Sequence, residues 1–546
     1  MPIGEPGSAY SPTIVCDWED RLHVVWTSCH EQVWHLQYAV LQDGKQSLSR
    51  TLSKGGSSDR YPSLSVTSGG EIWLAWESDV RGNRDVYAGR LTSNGLQDIT
   101  PMSTDDSEDC APSLTASPKG GLGLAWHRYL GNGNFDIFFR EKDKQEWKPE
   151  VRLTDFPAVD AFPSIAADSK GRFWIAWHSN RLGEVSGITN WILVRCWDGK
   201  NFLETVNPMP GVDLEKDHTD QGLEFPTIHV DQRDRVWIFG RPSHNFCAQV
   251  YSGDSWSPLI RLPKDGWGGR GQFIRVAEDP SGKLWLARRD IRENMLQEIS
   301  DISKQAEPLK LKRAKGTSSK SAKSTLAGIS KTPYRVGEYN LYFGDIHAHT
   351  WMSDGMGSLD EFWTRCRDVL EWDFAALTDH DDFVGNRISP AEWEEMKYVA
   401  NRYDDPGRFA AIHAYEWTTG RPPSGFGHKN VYFSDTNPPL FRKCDADAAS
   451  PSLLYEKMKP WNALAFPHHI AWTGSDWEHL DPQISTCVEI ISNHGRFEFM
   501  GNLPIRHRGG RQGEFVQDGL KQGLRFGIVG GSDSHGLRWQ HGVSYK

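Results

Sequence analysis

The chain has 546 residues, 38% hydrophobic and 24% charged, with 52 Gly, 30 Pro and 24 Trp. This excludes wholesale disorder, collagen and coiled coil, and the length predicts about three units at roughly 100–200 residues each. A net charge of −11 argues against a nucleic-acid-binding surface over the whole chain, so nucleic acid is not implied as a partner, and no apolar run is long enough to predict a membrane span.

In chain order, the opening Met-Pro-Ile-Gly-Glu-Pro shows neither a basic n-region nor an apolar h-region. The eight cysteines are scattered and form no C-x-x-C pair, which predicts reduced, mostly buried thiols in a cytoplasmic protein. Residues 1–300 carry an internal repeat. A proline recurs at Pro12, Pro62, Pro112, Pro163 and Pro226. Fourteen residues after the first four stand Trp26, Trp76, Trp126 and Trp177, and eleven after Pro62, Pro163 and Pro226 stand Trp73, Trp174 and Trp237. A sixth copy, 273–287, lacks the proline but keeps Trp285. Each copy reads as a short alternating run, a turn such as Asp168-Ser-Lys-Gly171, and an apolar strand such as Phe173-Trp-Ile-Ala-Trp177. Alternating runs split by Gly and Asp turns are β-hairpins. A period near 50 residues fits a four-stranded blade, so the expectation is an all-β propeller, six-bladed, with the tryptophans filling the wedges between blades. The wider gap from Pro163 to Pro226 predicts an insertion around 180–220. The repeat loosely resembles sialidase-like and other enzyme-associated propellers, although no sialidase arginine triad is visible.

Residues 301–337 are rich in Lys and Ser and read as a solvated linker. From 338 to 546 strands alternate with helices. Asn340–Ile346, Phe374–Thr378, Phe409–Tyr415, Ala463–Pro467, Cys487–Ile491 and Arg525–Gly530 read as strands. Ser358 with Glu361 forms a capping box for a helix reaching Trp372, and Ser389-Pro390 and Ser450-Pro451 open two more. Repeated βα units imply a parallel sheet, closed into an α/β barrel.

Twelve of the 20 histidines follow residue 340, many just after a strand. In a (β/α) barrel those strand ends form the active face. Alternate residues of extended chain point the same way, so His347 and His349 can grip one cation together, as can Asp533 and His535. Imidazole and carboxylate donors suit Zn, Mn or Fe.

The run Phe343-Gly-Asp-Ile-His-Ala-His-Thr350, then Ser353-Asp-Gly355, Thr378-Asp-His-Asp381, Glu416-Trp-Thr418, Gly427-His-Lys-Asn430, Pro467-His468 and Gly531-Ser-Asp-Ser-His535, resembles the PHP (polymerase and histidinol phosphatase) superfamily, and within it the DUF3604 group. The resemblance implies a distorted (β/α)7 barrel holding two or three divalent ions. It implies as metal ligands His347, His349, Asp354, His380, Glu416, His428, His468, Asp533 and His535, with the adjacent His469 an alternative to His468. Related chains continue further past the last motif, so the final barrel helix is expected to be missing or supplied otherwise.

These residues predict a metal-dependent hydrolase, a phosphoesterase acting on a phosphomonoester or phosphodiester through a hydroxide bridging the ions, with no organic cofactor. Its partner would be a phosphorylated small molecule or a phosphodiester, and no membrane. Asp345, Asp379 and Asp381 are expected to orient imidazoles or transfer protons. His494 and Arg496 are expected to bind a phosphate oxygen or protonate the leaving group. Arg506, Arg508 and Arg511 form a basic loop, either solvated or facing substrate anions. The alternatives are hydrolysis of an amide or carboxylic ester by the same chemistry, or a non-catalytic propeller-based binding protein with structural metals.

Overall fold

The computed structural model describes residues 8–53, 55–143, 145–181, 190–209, 223–241, 246–262, 274–289, 294–299, 305–314, 334–383, 386–502 and 510–536. The chain divides into two compact units, Met1–Ser324 and Thr325–Lys546. None of the eight cysteines is disulfide-bonded; Cys110, Cys196, Cys247 and Cys366 are buried and Cys16 is exposed. No helix among the described residues is long and apolar enough to cross a membrane.

Among the described residues the first unit contains six small antiparallel sheets, one per sequence repeat. Their first strands are Ala9–Cys16, Asp59–Val66, Glu108–Ala116, Asp160–Ala167, Glu224–Val230 and Arg275–Glu278. The sixth sheet has three strands among the described residues. First strands from all six sheets line one cavity of about 260 Å³. Arg275 Nη2 on the sixth reaches the Pro12 carbonyl on the first at 3.4 Å.

The repeated proline now has a physical cause. Residues Ser11, Tyr61, Ala111, Phe162 and Phe225, each just before the proline, have φ of 47–50°. At the same place the register with the second strand slips by a bulge. Proline has no N–H, so the bulge costs the ladder no donor there. The first strands are edges, and an edge leaves amides unpaired. Here the neighbouring sheet supplies the partner. Thr13 Oγ1 accepts from Leu64 N, Ser63 Oγ from Leu114 N, Ser113 Oγ from Ile165 N and Ser164 Oγ from Ile228 N, at 3.0–3.2 Å. Thr227 Oγ1 donates to Ile274 O at 2.8 Å.

The tryptophans do more than fill wedges. Trp174, Trp237 and Trp285 donate Nε1–H to the turn aspartates Asp168, Asp231 and Asp279 at 2.9–3.0 Å. In the first repeat His23 takes this place against Asp17. Packing still dominates. Trp126, Trp174, Trp177 and Trp237 are at most 2% exposed. Burying roughly 200 Å² each yields about 5 kcal/mol before entropy, against about 1 kcal/mol for the hydrogen bond. Part of the expected linker is not a free tether: Leu311–Arg313 pairs antiparallel with Leu203–Thr205 and extends the fourth sheet. Of the expected insertion around 180–220, 182–189 and 210–220 lie outside the described residues, while Trp191–Trp197 and Phe202–Thr205 are strands of the fourth sheet.

Among the described residues of the second unit, seven of the strands neighbour one another in chain order: β1 (Gly344–Asp345), β2 (Phe374–Leu377), β3 (Ala410–Thr418), β4 (His428–Phe433), β5 (Leu464–His468), β6 (Cys487–Ser492) and β7 (Gly527–Gly530). Strands β1, β2 and β3 are parallel, as are β6 and β7. The expectation of a wholly parallel sheet is corrected: β4 runs antiparallel to β3 and β5 antiparallel to β4. The segment from 419 to 427 is too short for the crossover that a parallel connection requires. β5 lies beside β6. Past the end of β7, Asp533 N donates to His347 O and His349 N to Ser534 O, both at 2.8 Å, so the last strand returns to the first. Helices α1 (Leu359–Thr364), α2 (Pro390–Tyr403) and α3 (Pro451–Met458) start where the caps predict, with full capping boxes at Ser358 and Ser389. α1 is shorter than expected and passes into a wider π turn over Arg365–Val369.

Asp168 Oδ1 also accepts the Lys170 and Arg172 amides. Asp168→Ala strands these donors and the indole N–H, so it should lower the stability of the first unit by about 2–3 kcal/mol. Urea denaturation followed by tryptophan fluorescence checks this, and metal content should not change.

Candidate metal centre

The strand directions decide which residues meet. His347 and His349 follow β1, His380 follows β2, Glu416 lies near the end of β3, His468 ends β5, His494 follows β6, and Asp533 and His535 follow β7. Because β4 runs the other way, its first residue, His428, is the one at this edge. Two members stand in the left-handed region, His469 with φ 30° and Asp533 with φ 52°. In extended chain adjacent side chains point oppositely. The left-handed turn swings His469 back beside His468, with ring centroids 4.2 Å apart.

Four donor atoms form the tightest group. His347 Nε2 and His349 Nε2 are 3.4 Å apart. Glu416 Oε2 is 3.4 Å from each. Asp533 Oδ1 is 3.4 Å from His347 Nε2 and 3.3 Å from His349 Nε2. The triangle of His347 Nε2, His349 Nε2 and Glu416 Oε2, about 3.4 Å on each edge, has the spacing of three donors each about 2.1 Å from one tetrahedral zinc. The orphaned atoms fit the same reading. His468 is fully buried, and among the described residues neither of its ring nitrogens has a hydrogen-bond partner; nor has Glu416 Oε2. Buried unpaired polar atoms are costly, and a cation would satisfy them.

Two further groups surround this one. Glu416 turns its other oxygen, Oε1, to His428 Nδ1 at 2.6 Å and His468 Nε2 at 3.3 Å. Asp354 holds His380 Nε2 at 3.5 Å through Oδ1 and His535 Nε2 at 3.3 Å through Oδ2. All nine residues expected as ligands therefore converge. His469 converges as well, within reach of Glu416, His428 and His468 and also of Asp533 and His494.

The protein sets which imidazole nitrogen faces inward. Glu489 on β6 lies 3.0–3.1 Å from His347 Nδ1, leaving Nε2 for the cage. Burial lifts Glu489 to a pKa of about 7, against the pull of His347. Thr418 Oγ1 meets His380 Nδ1 at 2.6 Å, Ser353 Oγ meets His349 Nδ1 at 3.3 Å, and Thr473 Oγ1 meets His469 Nδ1 at 3.1 Å. Gly531 makes room for the Glu489–His347 pair, since a Cβ there would lie 2.5 Å from Glu489 Oε2 and 2.6 Å from His347 Cβ.

Three expectations are corrected. Asp379 touches no imidazole directly; it accepts from Thr350 N, Thr350 Oγ1 and Ser353 Oγ, and so orders the loop after His349. Asp381 accepts the amides of Asp382, Thr418 and Lys443, and burial raises its pKa to about 6. Asp345 accepts His347 N and Ser532 N, tying β1 to the last motif. Backbone amides are stronger nearby donors for these carboxylates than the ligand rings, whose remaining nitrogens are claimed by Glu489, Thr418 and Ser353. His494 does enter the cluster, with Nε2 3.0 Å from Asp533 Oδ2. Arg496 does not. It sits in the short strand Gly495–Arg496 paired with β6, and its side chain makes no hydrogen bond or ion pair among the described residues. Arg511 donates to Pro422 O, while Arg506 and Arg508 lie outside the described residues. Sequence reasoning missed the pairing of Glu489 with His347; its signal was an acidic residue inside the apolar run Val488–Ile491.

Residues 373–471 match the family model described as Protein of unknown function (DUF3604), the stretch that contributes His380, Glu416, His428, His468 and His469. No curated protein matches the chain. Among solved structures, an alpha-L-arabinanase of Penicillium chrysogenum complexed with arabinobiose is similar at 13% identity and a TM-score of 0.39, over 52% of this chain and 90% of that one. The GH93 alpha-L-arabinofuranosidase of Fusarium graminearum with arabinobiose matches at 11% and 0.38, over 54% and 93%. Trypanosoma rangeli sialidase with the inhibitor DANA matches at 12% and 0.35, over 52% of each chain.

Two predictions follow from the geometry. Glu489→Ala frees the His347 ring and should weaken metal binding about 10–100-fold, measured by competition with a chromophoric chelator. The second concerns pH. Burial opposes charge on His380, but Glu416 and Asp354 outweigh it and push its pKa up to about 10. Burial likewise opposes charge on His535, and Asp354 pushes it up to about 9. Below these values the rings carry protons that a cation must displace. Affinity at this group should therefore rise with pH through neutrality and level off near 9–10. Calorimetric titration at pH 7 in buffers of different ionisation heat should show proton release on binding.

Proposed function

We propose that residues 338–546 are a PHP-type, distorted seven-stranded barrel and act as a metal-dependent hydrolase of phosphoesters, either phosphomonoesters or phosphodiesters. We take residues 1–300 as a six-bladed propeller carried with it, and 301–337 as the connecting segment. The observation that carries the reading is the triangle of His347, His349 and Glu416 donor atoms, 3.4 Å on each edge, with Asp533 Oδ1 3.3–3.4 Å from the two imidazoles. The match over residues 373–471 to a family of unknown function supports no particular bond.

Divalent ions such as Zn²⁺ or Mn²⁺, when bound, supply Lewis acidity and lower the pKa of a water toward ~7. The chain's own residues do the rest. Glu416 offers one oxygen to each of two groups and so fixes their separation. Glu489, Thr418 and Ser353 hold the rings in place before substrate arrives, so no reorganisation is needed during reaction. Of the clustered donors, His428, His494 and His535 keep the most side-chain exposure, 15%, 17% and 31%. Phe383 stacks on His380 with ring centroids 4.6 Å apart and restricts water at that flank. A mix of imidazole and carboxylate donors with open positions is the pattern of catalytic rather than structural sites.

Full-length protein reconstituted with Mn²⁺ or Zn²⁺ should hydrolyse p-nitrophenyl phosphate or bis-p-nitrophenyl phosphate, and chelation should abolish the activity. His347→Ala should lower kcat/KM at least about 100-fold. Cleavage of p-nitrophenyl acetate alone would replace the phosphoesterase reading with that of a carboxylic ester or amide hydrolase. Unchanged activity in His347→Ala would remove the site.

A further inference from the structure

The three groups above account for the nine expected ligands and leave two imidazoles over. Glu416, His428 and His468 already give the second group three donors, so His469 is not needed there. His494 belongs to none of the three. Both rings are nevertheless held against the same atom. Asp533 spends Oδ1 on the first cage and turns Oδ2 the other way, to His494 Nε2 at 3.0 Å and His469 Nε2 at 3.7 Å.

We propose that His469, His494 and Asp533 form a further cation site, taking a divalent transition ion such as Zn²⁺ or Mn²⁺, with the Asp533 carboxylate bridging it to the first cage. The proposal rests on the metal-dependent reading above.

Three features of the chain serve this arrangement. His469 adopts a left-handed conformation rare for a residue with a Cβ, which brings its ring to the cluster side. Thr473 Oγ1 engages its Nδ1 at 3.1 Å, leaving Nε2 to face Asp533. The Trp472 ring packs against both imidazoles, with centroids 4.9 Å from His469 and 4.5 Å from His494, and limits their rotation. Donors about 2.0–2.1 Å from a cation stand about 2.9–3.4 Å from one another; the three donors here lie within 4.8 Å of one another and would draw closer around an ion. Three protein donors leave one position open, on the side where His494 keeps 17% exposure. An ion there could accept an oxygen of an anionic substrate. The simpler alternative is that His494 only donates a hydrogen bond that orients Asp533. That alternative predicts no change in the number of ions bound when His494 is removed.

Full-length protein stripped by chelation, reloaded with Zn²⁺ and desalted can be counted for bound ions by mass spectrometry. His494→Ala and His494→Gln should each retain one ion fewer than the unsubstituted chain. A crystal of the unsubstituted chain loaded with Zn²⁺ should show an anomalous peak flanked by His469, His494 and Asp533, a readout that does not depend on the variants folding. An equal, non-zero number of ions in all three proteins, with peaks at the other groups and none here, would overturn this proposal alone. No bound ion in any of them would overturn it together with the metal-dependent reading.

Discussion

Glu416 has five imidazoles within 3.4 Å: His347 and His349 on one oxygen, His380, His428 and His468 on the other. It is fully buried. A carboxylate so placed is paired or it is not ionised. Here the surrounding rings hold its pKa well below the usual range although burial opposes this. The rest of the second unit follows from that constraint. Five rings can reach one carboxyl group only if the strands carrying them are adjacent and end at one edge. The antiparallel turn at β4 lets His428 join from the beginning of its strand.

The carboxylates of the unit divide into two kinds. Glu416, Asp354 and Asp533 face imidazole nitrogens. Asp345, Asp379 and Asp381 face backbone amides and hydroxyls, and hold the loops that present those nitrogens. Glu489 stands between the two kinds, since it touches one ligand ring and nothing else so directly. A site of this sort gains its precision from the outer group, because a ring held by one rotatable bond alone would not keep a cage edge at 3.4 Å. In the first unit a comparable division separates the buried indoles from the hydroxyls of Thr13, Ser63, Ser113, Ser164 and Thr227, which link five of the first strands to the next sheet.

Much of this was legible in the sequence because it is local. The Asp–Gly turns, the proline repeat, the capping box at Ser358 and the helix start at Ser389-Pro390 depend on residues a few positions apart, and all appear where expected. The nine residues that converge were legible because each sits in a short motif, eight of them in or beside a strand. What was misread is non-local. Asp379 and Asp381 adjoin His380 in sequence, but Asp379 meets Thr350 and Ser353 and Asp381 meets Thr418 and Lys443 from distant segments. Glu489 is 142 residues from His347, and its neighbours give no sign of the ring it meets.

Sequence by itself determined that the chain has a repeated β-rich half and a histidine-rich half, and which residue types could hold a cation, because periodicity and short motifs are properties of neighbouring residues. Only the tertiary structure decided how those donors are grouped, that β4 and β5 run antiparallel, and that His469 and His494 share Asp533. Those facts depend on strand order, chain direction and a left-handed residue, and each is settled when distant segments pack, not when they are read.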